Sequence, residues 1–302
     1  MANKPRVVSI LPKIKALMHS TGKRVFDVNY LQNIFEENND KWRLPLSMDL
    51  SGFINGLDKY SDELIIDSFA FPGMKKQVVA HFEDASIYDV VSNIFPDGYL
   101  SHYSAITLWG LTEQIPKSIY LTLEQSTGPA KSIKGVLEQG SIDSAFQRPQ
   151  RLSETITEYN NHRLILLKGK HTRRLGVDDM SDNKGSSSIK VTDIERTLID
   201  IAVRPEYSGG IYEVLKAYRL AKDNHSVSIN KISGYLNKMD FIYPYHQAIG
   251  FYLERAGNYS DKMIELLKRK PMNYDFYLTY EMKKDQMRYS EKWRLYYPKG
   301  LD

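Results

Sequence analysis

The chain has no cysteine among its 302 residues. That removes disulfide scaffolds, thiolate zinc sites and cysteine nucleophiles together, and it makes a reducing cytoplasm the expected setting. No apolar run approaches the roughly 18–20 residues that a membrane span needs. Met1 to Ile10 carries charge but no apolar stretch of the secretory type. Motifs that announce chemistry are also scarce. The seven histidines show no His-Glu-x-x-His or other metal spacing, and no glycine-rich phosphate loop is present. Ser101-His102 lacks the Gly-x-Ser-x-Gly setting of a nucleophile elbow. Charge of one sign is missing too: 41 basic against 37 acidic residues leave a net of +4, too mild to indicate a nucleic-acid partner by itself.

What is present is a globular composition, 42% hydrophobic and 26% charged, with 21 Tyr, 11 Phe and 3 Trp to fill cores. The length suits two domains of ordinary size. Charge is local. Residues 1–90 carry 11 basic and 12 acidic side chains, residues 91–190 carry 12 and 10, and residues 191–302 carry 18 and 15. Between Arg148 and Arg174 lie seven cations (Arg148, Arg151, Arg163, Lys168, Lys170, Arg173, Arg174) against Glu154 and Glu158. The cluster reads as a second basic surface for nucleic acid or an acidic partner, or equally as a solvated strand edge protected by charge. Ser181 to Ser188 reads as a surface loop.

In the first ninety residues, Ile10, Leu11, Ile14, Leu17 and Met18 define an amphipathic helix that Gly22 ends. Asp27 caps a second helix with Val28, Leu31, Ile34 and Phe35 on its apolar face. Ser47 is expected to cap a third, built on Leu50, Phe53, Ile54 and Leu57. Two strand-like runs follow, Glu63–Phe71 and Gln77–Phe82, around a Pro72-Gly73 turn. Three helices and a hairpin make the order of a winged helix-turn-helix, whose third helix enters the major groove. The face opposite the apolar positions carries Asn55 and Lys59, with Gly52 allowing close approach and Ser51 flanking. Asn can read adenine and Lys can reach guanine or phosphate. Lys41 and Arg43 precede the helix, and Lys75 and Lys76 sit at the wing. Asp49 and Asp58 oppose this reading, and winged helices also serve as protein adaptors.

Beyond residue 90 the pattern is α+β. Asp84–Phe95 reads as a linking helix. Ser101 caps a short helix with Tyr103, Ile106 and Trp109 on one face, and Gly110 stops it. Ser118–Glu124 and Arg163–Leu167 read as strands. Helices are expected at Thr192–Ala202, Gly210–Lys222, Ser228–Met239, Pro244–Ala256 and Ser260–Lys270, followed by strands at Asp275–Tyr280 and Glu291–Tyr297.

Four segments in this region resemble a known family. Leu100-Ser-His-Tyr-Ser-Ala-Ile-Thr-Leu-Trp-Gly-Leu-Thr-Glu-Gln-Ile-Pro116 and Val191-Thr-Asp-Ile-Glu-Arg-Thr-Leu-Ile-Asp200 are similar to segments of the AbiEi antitoxins. Arg204-Pro-Glu-Tyr-Ser-Gly-Gly210 and Tyr243-Pro-Tyr-His-Gln-Ala-Ile-Gly-Phe251 extend the similarity over roughly residues 95–257. The resemblance implies a winged helix-turn-helix over 1–90 and an antitoxin domain over 91–302. It also implies a transcriptional repressor of its own operon that binds promoter DNA with inverted repeats. Its partner would be a nucleotidyltransferase toxin of a type IV pair in phage defence, countered without a stable complex. No cofactor, metal or membrane is expected.

The competing expectation is an enzyme. Gly185-Ser186 followed by Asp193-Ile-Glu195 echoes the Gly-Ser and acidic pair with which nucleotidyltransferases hold magnesium. Only six residues separate Ser186 from Asp193, too few for the intervening helix that this chemistry needs. The same residues make a capping box, Thr192 accepting from the Glu195 amide and Glu195 reaching back. Asp275 with Glu281-Met-Lys283 similarly echoes a metal nuclease. His246 reads as a helix-start residue in a tyrosine-rich core.

Overall fold

The computed structural model describes residues 5–126, 137–181, 188–281 and 283–301. In chain order the first elements are α1 (Arg6–Ser20), β1 (Val25–Asp27), α2 (Val28–Asn38), α3 (Leu50–Tyr60), β2 (Leu64–Phe69), β3 (Gln77–Phe82), α4 (Ile87–Ser92) and β4 (Tyr99–Leu100). Then come α5 (His102–Leu108), β5 (Ser118–Glu124), α6 (Gln139–Phe146), β6 (Ile156–Tyr159), β7 (His162–Gly169), β8 (Val177–Met180) and β9 (Ile189–Thr192). The last are α7 (Ile194–Val203), α8 (Ile211–Asn224), α9 (Ile229–Met239), α10 (Tyr245–Ala256), α11 (Asp261–Lys268), β10 (Phe276–Tyr277), β11 (Met287–Ser290) and β12 (Leu295–Pro298). The fold is mixed α+β. As far as they are described, residues 1–100, 155–157 and 178–191 form one compact unit, and residues 101–154, 158–177 and 192–302 form the other.

In the first unit α1 buries Val7, Ile10, Leu11, Ile14 and Met18, the stripe its spacing dictates. Asp27 caps α2 by accepting from the Tyr30 amide at 2.9 Å. Helix α3 buries Phe53, Ile54, Gly56 and Leu57. A Cβ at Gly56 would lie 3.0 Å from the Val7 side chain, so the glycine sets how closely α1 and α3 pack. Strands β1, β3 and β2 make an antiparallel sheet in that order, with Phe26 opposite Ala80 and Ile66 opposite Ala80 from the other side. Strand β4 lies parallel to β9, Leu100 opposite Val191.

Two expectations fail here for local reasons. The cap of α3 is Asp49, whose carboxylate accepts from the Gly52 amide at 2.7 Å, and not Ser47. A turn closed by the Met48 amide on the Pro45 carbonyl leaves Ser47 exposed two residues upstream. The linking helix is shorter than Asp84–Phe95, because Ser86 and Asp89 form a reciprocal capping box that starts it at Ile87.

The second unit has its own core, in which Tyr218, Phe251, Tyr252 and Trp293 are fully buried. Strands β5 and β7 run parallel in register from Ser118 opposite Arg163 to Glu124 opposite Gly169. Strand β12 pairs with β10 in parallel and with β11 in antiparallel. The expected strand Glu291–Tyr297 is therefore half turn. Residues 291–294 join β11 to β12 because Trp293 turns inward, its indole donating to Glu254 and its carbonyl accepting from Gln247. Arg294 takes a positive φ of 46° to complete that turn.

Candidate functional site

Two places gather chemistry-bearing side chains, one in each unit. On α3 the exposed face holds Ser51, Asn55, Asp58 and Lys59, opposite the buried Phe53 and Leu57. The Lys59 ammonium rests 5.3 Å from the Tyr60 ring centroid. Asp49, expected to repel phosphate, spends one carboxylate oxygen on the helix cap. Lys41 and Arg43 are exposed before the helix, Arg43 at a φ of 51° beside the buried Trp42. Lys75 and Lys76 are exposed in the segment joining β2 to β3, which turns through Gly73 at a φ of 71°. Gly52, expected to allow close approach of a partner, faces the Asp49 and Met48 side chains. Sequence reasoning missed Leu46, a fully exposed leucine just ahead of α3.

The Arg148–Arg174 cluster does not lie on one element. Arg148 follows α6, Arg151 is in the next loop, Arg163 and Lys168 are on β7, and all are exposed with Lys170 and Arg173. Arg173 and Arg174 stand in a turn with φ near 57° and 54°. The Glu124 carboxylate builds that turn by accepting from the Thr172 hydroxyl and the Thr172 and Arg174 amides. Burial acts to raise the Glu124 carboxyl, but these bonds and the Arg196 charge outweigh it and hold it below its ordinary value.

Asp193 and Glu195 are buried. Asp193, and not Thr192, caps α7: one oxygen accepts from the Arg196 amide at 2.7 Å. The other takes the Tyr235 hydroxyl at 2.7 Å and the Lys231 ammonium at 3.1 Å. Glu195 does not reach back to Thr192. It accepts from the Ser228 amide at 2.8 Å and pairs with the same Lys231 at 3.0 Å. The capping box fails because Thr192 is the last residue of β9 and its hydroxyl bonds Thr197. Burial opposes the Lys231 charge, yet the two carboxylates hold its ammonium well above the usual lysine value. Gly185-Ser186 lies outside the described residues, as does most of the Ser181–Ser188 loop. Asp275 is committed to Arg294 at 2.8 Å and to the Tyr289 hydroxyl at 2.8 Å. Among the described residues no group of three or more potential metal ligands converges.

One turn further along α7, Arg196 pairs with Asp200 at 2.8 Å, both buried. This pair lines a cavity of about 210 Å³ together with His102, Lys168, Lys170 and Arg204. His102 holds a φ of 51°, and its Nδ1 lies 2.8 Å from the Ser101 hydroxyl, itself 2.6 Å from Thr122 Oγ1. Burial, with Arg196 and Arg204 nearby, pushes the His102 imidazole down to about 3, so it is neutral near pH 7. Sequence reasoning missed His102, Arg196, Asp200 and Arg204 as neighbours. Arg196, Asp200 and Arg204 follow one another at a spacing of four along and just past α7, a signal the sequence did carry; His102 comes from α5, and no local pattern ties it to them. His246, by contrast, is a helix-start residue as expected: burial pushes it down to about 4, and its Nε2 is buried without a hydrogen bond among the described residues.

Comparison of the chain with known protein families finds no match, and comparison with curated proteins finds none either. Among solved structures the fold is similar to that of the Rv2827c protein from Mycobacterium tuberculosis. The TM-score is 0.54 at 12% identity, covering 96% of this chain and 89% of that one. At that identity the likeness concerns the fold alone.

Proposed function

We propose that this protein is a DNA-binding transcriptional repressor of its own operon, and the antitoxin to a nucleotidyltransferase toxin of a type IV pair in phage defence. The N-terminal unit is, in this reading, a winged helix acting in the cytoplasm on promoter DNA with inverted repeats. The observation that carries it is the exposed face of α3, where Ser51, Asn55 and Lys59 stand together, with Lys75 and Lys76 exposed between β2 and β3. The element order α1-β1-α2-α3-β2-β3 supports it, because it gives a third helix for the major groove and a hairpin for the backbone or minor groove. The antitoxin part rests on the resemblance over residues 95–257. No helix among the described residues is long and apolar enough to cross a membrane.

A gel shift tests the repressor. The protein should prefer a promoter fragment carrying an inverted repeat over random DNA, with affinity falling steeply as salt rises. Equal affinity for the two fragments overturns the proposal. Co-expression with a nucleotidyltransferase toxin encoded beside it should restore growth without co-purification; continued toxicity removes the antitoxin part. The enzyme reading needs Asp193 and Glu195 exposed as a pair, whereas both are buried on one ammonium, and no observation favours it.

A further inference from the structure

We propose that the cavity of the second unit is a binding site for a small phosphate ester of about mononucleotide size. The inference rests neither on the α3 surface nor on DNA binding. Four cations and one carboxylate line the cavity, and that carboxylate, Asp200, already has its partner in Arg196. Among the residues that line the cavity, three cations are left without a carboxylate of their own, and a dianion matches them better than a single carboxylate.

The cations divide by task. Arg196 belongs to the fold: it donates to Asp200, to the Leu175 carbonyl at 2.7 Å and to Thr172. Lys170 gives two of its three protons to the Met239 and Asp240 carbonyls at the end of α9, at 2.6 and 2.7 Å, so one remains. The Arg204 guanidinium makes one hydrogen bond among the described residues, to the Arg151 carbonyl at 3.3 Å, and keeps most of its fork. Lys168 is exposed at the rim and has no partner among the described residues. The lining thus has two largely available cations, Lys168 and Arg204, beside Arg196 and Lys170, which the fold holds.

Neutral donors and flat surfaces complete the match. Where the Ser101 hydroxyl donates to His102 Nδ1, the imidazole proton sits on Nε2, a neutral donor beside the cations. Tyr207 stacks edge-on to His102 with centroids 5.5 Å apart, and its hydroxyl accepts from the Ser153 amide at 2.8 Å, which fixes the ring. Phe241 also lines the cavity, and the Lys170 ammonium is 5.9 Å from its centroid. Aromatic walls beside a basic mouth suit a planar ring joined to a phosphate. A volume of about 210 Å³ is below the range for drug-sized ligands, so the cavity would enclose part of a mononucleotide and leave the rest at the rim beside the exposed Lys168.

Isothermal titration of the full chain with adenosine and uridine 5′-monophosphates tests this, with adenosine and inorganic phosphate as partial ligands. Saturable binding of at least one mononucleotide is expected, with both partial ligands weaker by about tenfold or more. Lys168→Ala and Arg204→Gln should each weaken it by about tenfold while the melting curve of the free protein stays in place. Should Arg204→Gln fail to fold, Lys168→Ala decides, because its exposed ammonium supports nothing in the fold. Absence of binding at millimolar mononucleotide, or unchanged affinity in Lys168→Ala, overturns the proposal. So does phosphate that binds as tightly as the mononucleotides. Tighter, Lys168-dependent binding of a 5′-phosphorylated hexanucleotide would overturn it in favour of a nucleic-acid end.

Discussion

Gly176 shows how much of the second unit depends on single positions. It has a φ of 70°, and its carbonyl accepts from the Asp193 amide at 2.7 Å. A Cβ there would sit 2.8 Å from both the Arg196 Cβ and the Tyr235 ring, and 3.0 Å from the Asp193 carboxylate. Gly110 has nearly the same φ, 65°, but no atom among the described residues within 4 Å. The pair separates backbone strain from crowding. Gly110→Ala should cost about 1 kcal/mol, the left-handed penalty alone. Gly176→Ala should cost about 2–4 kcal/mol, because overpacking adds to the same penalty. Urea denaturation checks both. Equal losses would show that the Asp193–Arg196–Tyr235 cluster yields, and that its geometry is not fixed by contact with the glycine.

Elements with a strong period and a cap were legible in the sequence. Strand β5 and strand β3 have the expected bounds, and α9 begins after Ser228, which accepts from the Lys231 amide. What was not legible followed from partners distant in the chain. Ser47 and Asp49 both suit a cap, and only the turn at Pro45–Met48 decides between them. Thr192 could cap α7 but is held in β9, so the cap passes to Asp193. Trp293 reads as a strand residue, yet it sits in a turn because Gly250 on α10 leaves room for its ring: a Cβ there would meet the indole at 2.1 Å. The cavity was the least visible feature, since it joins β7, α5, α7 and the Arg204–Tyr207 turn. The face of α3 was the most visible, because a helix that buries Phe53 and Leu57 must expose Asn55 and Lys59.

In the proposed repressor the work is divided between this face and the β2–β3 segment in a way that mutation separates. Lys75 and Lys76 lie off the helix, where they can neutralise phosphates without reading bases. Lys75→Ala with Lys76→Ala should weaken binding to promoter and random DNA alike and lower the salt slope by about 2. Asn55→Ala should instead narrow the gap between the two DNAs, by about 1–3 kcal/mol if Asn55 reads a base. Fluorescence anisotropy over a salt series distinguishes them. Unchanged binding in both variants would show that the reading surface lies elsewhere on the unit.

Taken as a whole, the molecule carries histidines whose pKa values are shifted in opposite directions in its two units, and this ties its stability to pH in two directions. In the first unit, burial works against the His81 charge, but bonds to Asp67 at 2.9 Å and to the Phe82 carbonyl at 2.8 Å raise its pKa above the ordinary value. A raised folded pKa means that the stabilisation is complete below about pH 6.5, the unfolded value, and is lost as pH rises through the folded one. In the second unit, His102 is pushed down to about 3 by burial with Arg196 and Arg204, and His246 to about 4 by burial with Lys270. Both stay neutral in the fold while the unfolded chain takes up protons below about pH 6.5, so acid favours unfolding there. Lowering the pH from about 7.5 to about 5.5 should therefore increase hydrogen-exchange protection in β2 and β3 and decrease it in α5 and α10. His102→Asn, which tolerates the positive φ, should flatten the response of α5 and leave that of β2 and β3 intact. Protection that falls equally in all four elements would mean that carboxylates, and not these histidines, set the acid limit of both units.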